Sequence, residues 1–504
     1  MKSDSLSRDE IRVHYSGFII FAAQILSVVT GIIFTLLLTR NMTKQQYGIW
    51  ANIFDLLGYF TLLSGLFPFW ATRFVARGKE GATKTALFAN LLVALVSVAV
   101  YLPLISLVTG ALGISEAYII LYIVASLQVI NVYMISMLES CLRATKPQTI
   151  GYGLLIEEVC KVASAYILIV GLHQSFLGAM LSLIIAASIE ALYYVRLLAK
   201  DLRQRIQWNY LREWLKGSTA NVYNAIGNQL VASVFILLFL FGGQAARGEY
   251  QAAATFANVV GYASFLAFAL YPKLLAKNSL EDVAFSLKTV LMFAIPLAAI
   301  IITMSESLLT ILNVFYSPAT PILILLALDA VVLLISQFYS SLVLGIERFD
   351  EEAKISFSQL VRSKMFKVFT LPYIQAAISL PATYYVLTRV ATGDSVQAVS
   401  YVTIANICVH IATFLGLYAF MRKSVRLAVP WRSVGKYLFA SAVTATALYL
   451  LPHPTTILAT LGKVAGGATT YAALLLMIDA ETRRLVAMIW REIKSIFGQV
   501  DKKD

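Results

Sequence analysis

Apolar stretches long enough to cross a bilayer follow one another from about residue 13 to about residue 478, separated by short polar loops. A membrane span needs about 20 apolar residues. Hydrocarbon offers no partner to a backbone N–H or C=O, so each stretch is predicted to be helical. The pattern gives about fourteen spans, at 13–39, 49–70, 85–110, 117–138, 148–170, 174–198, 217–242, 249–271, 286–312, 319–345, 365–390, 396–421, 433–452 and 457–478. The expected fold class is an all-α polytopic membrane protein. Composition agrees: 59% of the residues are hydrophobic and 13% charged, where a soluble domain carries about 25% charged residues.

The net charge of +13 invites a nucleic-acid reading, but the positions of the charges argue against it. With the N-terminus in the cytoplasm, only Arg40, Lys44, Arg247 and Arg389 fall outside, and Lys161 and Lys463 fall within spans. Every other Lys and Arg lies in an inner loop, a tail or the inner end of a span. That bias predicts a multi-pass protein of the cell (plasma) membrane with both termini cytoplasmic. The first span is too long for a signal-peptide core and is expected to be retained. Cys141, Cys160 and Cys408 have no disulfide or metal spacing.

The longest inner connection before the seventh span interleaves Arg203, Arg205 and Arg212 with Trp208, Tyr210 and Trp214. It reads as an amphipathic helix on the inner leaflet, aromatics at the interface. It divides the chain into a six-helix bundle over 1–198, a linker over 199–216 and a second six-helix bundle over 217–421. Two additional transmembrane helices (422–478) and a cytoplasmic amphipathic tail (479–504) follow. The two bundles read as a parallel, pseudo-symmetric repeat. Tyr47 precedes Gly58-Tyr59 by the same interval that separates Tyr250 from Gly261-Tyr262, and Asp55 corresponds to Asn258.

Enzymatic chemistry finds no support. The outer loops are short, no His/Asp/Glu cluster has metal-ligand spacing, and no Gly-rich phosphate loop ends in Lys-Ser or Lys-Thr. His14, His173, His410 and His453 are scattered. No cofactor and no metal are expected.

Charges inside spans are costly and mark functional candidates. Glu157, Glu158 and Lys161 sit near the middle of the fifth span. Glu157 and Lys161 are spaced to pair along one helix face, which leaves Glu158 without that partner. The alternative is a neutralised pair that only holds helices together. Glu190 and Asp329 are candidates for coupling. Asp55 and Glu306 fall near outer ends, within reach of water. Lys463 could snorkel outward or touch a lipid phosphate, and Gly462 and Gly466 form a close-packing motif. Asn221, Asn224 and Asn228 share a face of the seventh span that suits a cavity wall, a sugar-binding surface or helix–helix hydrogen bonding.

Three stretches carry a family resemblance. They are Leu38-Thr39-Arg40 through Tyr47-Gly48-Ile49-Trp50 and Gly58-Tyr59-Phe60 to Arg73-Phe74-Val75-Ala76; Gly248-Glu249-Tyr250 with Ala253; and Phe315-Tyr316-Ser317-Pro318-Ala319. In order and placement they resemble the polysaccharide transporter (Wzx-type) branch of the multidrug/oligosaccharidyl-lipid/polysaccharide flippase superfamily. The resemblance implies two six-helix bundles in a V, working by alternating access. It implies a cargo of polyprenyl or dolichyl phosphate or pyrophosphate bearing an oligosaccharide, flipped to the outer leaflet for surface glycan synthesis. The implied partners are that lipid-linked oligosaccharide, membrane lipids, and glycosyltransferases or a polymerase of the same pathway, with no nucleic acid. The chain departs from the pattern at Ser64, where an acidic residue is common, and at Ala232-Ser233, where an Asp is common. Its first span has neither the carboxylate of the multidrug exporters nor the arginines of peptidoglycan-precursor flippases. The competing readings are an ion-coupled exporter of amphiphilic drugs and a non-transporting scaffold for glycan-assembly enzymes.

Overall fold

A computed structural model describes residues 2–264, 280–346, 363–391, 393–424, 430–484 and 486–487. Helix dominates throughout, and no strand occurs among the described residues. Ten helices among them are long and apolar enough to cross a membrane. The other predicted spans, at 148–170, 249–271 and 365–390, also fall on helix wherever residues are described, and 433–452 does so as far as Leu450. The inner end of the eighth predicted span and most of the predicted tail lie outside the described residues.

The N-terminal helices are α1 (Lys2–Asn41), α2 (Lys44–Thr61), α3 (Pro68–Ala76), α4 (Ala82–Ala111), α5 (Ile119–Thr145), α6 (Gln148–Ala165) and α7 (Ser175–Leu197). They are followed by α8 (Trp208–Gly217), α9 (Thr219–Leu237) and α10 (Gln244–Ala257). Thr43 caps α2 through a reciprocal box with Gln46, so the chain reverses between α1 and α2 within two residues. The second predicted span is not one helix. It breaks at a 3₁₀ turn, Leu62–Gly65, and resumes at α3, where Pro68 sits at the helix start and replaces an N–H that would lack a partner anyway. α6 and α9 each end in a π turn, Tyr166–Gly171 and Leu238–Gly242.

Beyond them lie α11 (Leu280–Thr303), α12 (Ser305–Leu312), α13 (Thr320–Ile346), α14 (Lys364–Tyr385), α15 (Ser395–Ser424), α16 (Trp431–Leu450) and α17 (Ile457–Ile478). The helices gather into two packed units. One takes residues 1–255 and 336–421, the other 256–335 and 422–504.

In the first unit, α4 presents Leu92, Leu95, Val96, Val100 and Leu107 outward, as a lipid-facing helix does, and buries small residues such as Ala86, Ala89 and Ala94. A core of Phe67, Trp70, Phe74, Met137, Leu142, Tyr194 and Trp214 joins α3, α5, α7 and α8. The aromatics of α8 were expected at the lipid interface. Instead Trp214 is fully buried, 5.4 Å ring to ring from Phe74, and only Trp208 stays exposed.

In the second unit, α16 and α17 pack with α11. Tyr471 Oη donates to the Met292 carbonyl at 2.8 Å, and Asp479, just past α17, takes a 2.8 Å ion pair from Lys436. Lys288 pairs with Glu481. The expected packing motif Gly462/Gly466 faces open space. The packing stripe of α17 is Thr460, Gly467, Tyr471 and Leu475, with Gly467 against Leu448. The spacing of the two glycines was right for a motif, but the larger buried side chains one position on decide which face turns inward.

Candidate functional site

The intramembrane charges of α6 meet on the side of the helix facing α1. Val159, Tyr166 and Ile167 are exposed on the opposite, lipid-facing side of the same segment. Ser27 Oγ donates to Glu158 Oε1 at 2.7 Å, Thr30 donates to Glu158 Oε2, and Lys161 Nζ lies 2.5 Å from Oε2. The predicted pairing is thereby corrected: Lys161 takes Glu158, three residues back, rather than Glu157. Both spacings are adjacent on a helix. Glu158 wins because it points at α1, where two hydroxyls satisfy its remaining lone pairs, and a buried charge needs those partners. Glu158 is 3% exposed and the Lys161 side chain 12%.

Other carboxylates gather beside them. Glu157 interacts electrostatically with Lys161, Glu158 and Glu139 of α5. Glu190 of α7 interacts with Glu157, Glu139 and Glu158, and its Oε1 lies 2.8 Å from Tyr194 Oη, which is also 3.1 Å from the Ile150 carbonyl, so the two oxygens share the one hydroxyl proton. Gly153 makes this possible, because a Cβ there would collide with the Tyr194 ring. Three helices thus contribute to one group of carboxylates, in which Glu157 and Glu158 of α6 are the ones that interact with Lys161. Glu139 and Tyr194 were missed: Glu139 reads as an interfacial residue at the end of a span, and the contacts of Tyr194 are long-range.

The asparagines of α9 border a different feature. Tyr223 and Gly227 face α14, with Tyr223 stacked on Tyr373 at 4.5 Å. The turn of α9 carrying Asn221 and Asn224 instead lines a cavity of about 220 Å³, closed opposite by Leu62, Leu63, Gly65 and Leu66. Asn228, one turn on, is exposed and bonds the Asn224 carbonyl at 3.0 Å. Farther along α9, Tyr59 Oη and Ser233 Oγ meet at 2.6 Å.

A third feature was only partly foreseen. Asp55 was expected to be solvated near the outer surface. It is held by Arg247 through two bonds, at 2.7 and 2.9 Å, and Arg247 is 4% exposed. Beside this pair, Lys44 bonds buried Glu249 at 2.7 Å, and Ser395 Oγ donates to the same carboxylate. Between the two ion pairs, α2 and α10 cross backbone to backbone. A Cβ on Gly48 would strike the Gln244 carbonyl, and one on Gly248 the Lys44 carbonyl. We refer to this crossing as the clasp.

Asp329 and Lys463 belong to the second unit. Asp329 is buried on α13. Lys463 Nζ donates to the Leu451 and Pro452 carbonyls at 3.0 and 3.2 Å, at the end of α16. No group of His, Cys, Asp or Glu able to hold a metal ion occurs among the described residues.

Membrane-spanning helices that carry buried ion pairs, with a broken second span, define a polytopic membrane protein. Comparison with solved structures agrees on the fold. A lipid II flippase MurJ in an inward closed conformation aligns over 93% of this chain and 100% of its own, at 14% identity and a TM-score of 0.62. An inward-facing multidrug resistance MATE family transporter of the MOP superfamily aligns over 81% and 100%, at 12% identity and 0.58. A MOP superfamily transporter from Pyrococcus furiosus aligns over 82% and 95%, at 14% identity and 0.51. No curated protein matches in sequence. The family model "Polysaccharide biosynthesis protein" matches residues 15–274. The chain belongs to that family, and it shares the fold of these transporters.

Proposed function

We propose that this chain moves an oligosaccharide linked to a polyprenyl or dolichyl phosphate or pyrophosphate from the cytoplasmic to the outer leaflet of the cell membrane, with both termini cytoplasmic. Such a cargo has a polar head that cannot cross hydrocarbon and tails that can remain in lipid. Two six-helix bundles, over 1–198 and 217–421, alternate between leaflets around the head, with 422–478 as an addition. The observation that carries the reading is the charged group on α6, turned away from the lipid-facing residues of its own helix. Buried charge in a membrane is kept where it serves a polar substrate or ion. Lys161 serves the anionic head, and Glu157, Glu158, Glu190 and Asp329 set polarity or coupling. Membership of the polysaccharide biosynthesis family supports this reading over drug export.

The test is leaflet transfer in reconstituted vesicles. The native protein carries a fluorescent polyprenyl diphosphate oligosaccharide across. Lys161→Ala abolishes transfer and Lys161→Arg retains part of it. Equal transfer by Lys161→Ala and the native chain removes Lys161 from the site. Transfer of a cationic dye but not of the glycolipid favours the drug-export reading.

A further inference from the structure

We propose that the cavity between the 3₁₀ turn of the second span and the first turns of α9 takes one uncharged sugar ring of the cargo. The inference rests on the reading of the cargo as an oligosaccharide and specifies where part of it docks.

Size comes first. At about 220 Å³ the cavity has room for about seven waters, counting about 30 Å³ each. It falls below the about 300–1,000 Å³ that encloses drug-sized ligands. One ring fits in that space, and any further rings of a chain extend out through its open side. Chemistry narrows the choice. One wall is Leu62, Leu63 and Leu66, and the other holds Asn221, Asn224 and Ala225. A pyranose has two C–H faces and a rim of hydroxyls, which matches an apolar wall opposite carboxamides. None of the lining side chains is charged, so a phosphate or carboxylate finds no counter-ion there. A hydroxyl both donates and accepts, as a carboxamide does.

The carboxamides are available for this work. Asn228 Nδ2 lies 3.4 Å from Asn224 Oδ1, which orients that amide, while Asn224 Nδ2 has no partner among the described residues. Neither polar atom of the half-buried Asn221 side chain has one. These polar groups face the space of the cavity with hydrogen-bonding capacity to spare, which a hydroxyl-bearing ligand can take up. The cavity is also pinned on both sides. Tyr59 Oη meets Ser233 Oγ at 2.6 Å beyond one end, and Ser218 Oγ donates to the Leu66 carbonyl at 2.7 Å at the other. A space held open before binding spends little binding energy on ordering.

The experiment places a reporter on the wall without removing a ligand group. Ala225→Cys, in the full chain with Cys141, Cys160 and Cys408 replaced by Ser, is reconstituted in lipid nanodiscs. Its alkylation rate by a maleimide is measured with bare polyprenyl diphosphate and with the same lipid carrying a single glucose, galactose or N-acetylglucosamine. At least one sugar-bearing lipid slows alkylation severalfold and the bare lipid does not. Adding Asn221→Ala and Asn224→Ala cancels the protection while leaving thermal stability unchanged. Equal protection by the bare lipid marks a phosphate or lipid site and overturns the inference, as does protection by none of the four. Leaflet transfer by the native chain is read separately. Transfer without protection sinks the sugar subsite alone, and absent transfer sinks the function on which it rests.

Discussion

Lys161 lies within helical reach of two glutamates, and Asp479 within reach of a lysine from another helix; in both cases surroundings select the partner. Asp479 shows the consequence most plainly because it lies outside the spans. Burial alone pushes its carboxyl up. Hydrogen bonds from Lys436 and from the Thr482 hydroxyl and backbone outweigh that and hold it below the ordinary carboxylate value. A carboxyl held lower in the folded state stabilises the fold fully above the unfolded value of about 3.9. That contribution is lost as pH falls through the depressed folded value. Asp479→Asn therefore lowers the melting temperature of the purified protein at neutral pH and flattens its fall on acidification, read by a thermal scan across pH. Identical pH profiles for variant and native chain contradict the assignment.

At the scale of elements, the same departures from regular helix recur six spans apart. α2 gives way to a 3₁₀ turn at Leu62–Gly65, and α10 to another at Asn258–Tyr262. α6 ends in a π turn, as does α14, at Val386–Val390. The sequence match does not superpose these turns: Gly58-Tyr59 lies within α2, ahead of its 3₁₀ turn, whereas Gly261-Tyr262 lies inside the 3₁₀ turn that follows α10. The glycines of the clasp are a separate matter. Gly48 lets α2 touch the backbone of α10, and Val in its place forces the helices apart or strains both. Overpacking of this kind costs about 1–3 kcal/mol. Gly48→Val is expected to reduce folded yield and melting temperature, and Gly65→Ala, with open space around it, is expected to do neither.

For the molecule as a whole, the proposed orientation, with both termini cytoplasmic, puts the clasp on the outer side of the membrane. A transporter that opens there must break Asp55–Arg247 and Lys44–Glu249. Breaking one member of a buried pair costs about 3–5 kcal/mol, enough to shift a two-state equilibrium strongly. Asp55→Asn is expected to raise hydrogen exchange across 44–61 and 244–257 while segments in the second unit, such as α17, keep their protection. Uniform protection in the variant shows that the clasp bears no part of the conformational balance.

The spans, their helical state and the bias of positive charge were legible because lipid imposes one rule on every residue that enters it: backbone groups must pair within the segment, and charge must be hidden or served. Length and hydropathy therefore settled the fold class before any contact was known. Partner choice was not legible. Which glutamate Lys161 takes, that Asp55 meets Arg247 across 192 positions of sequence, which face of α17 packs, and that Trp214 turns inward all depend on groups distant in the chain. Periodicity reports which side of a helix is apolar. It carries no information on what stands opposite, and only the packed structure supplied that.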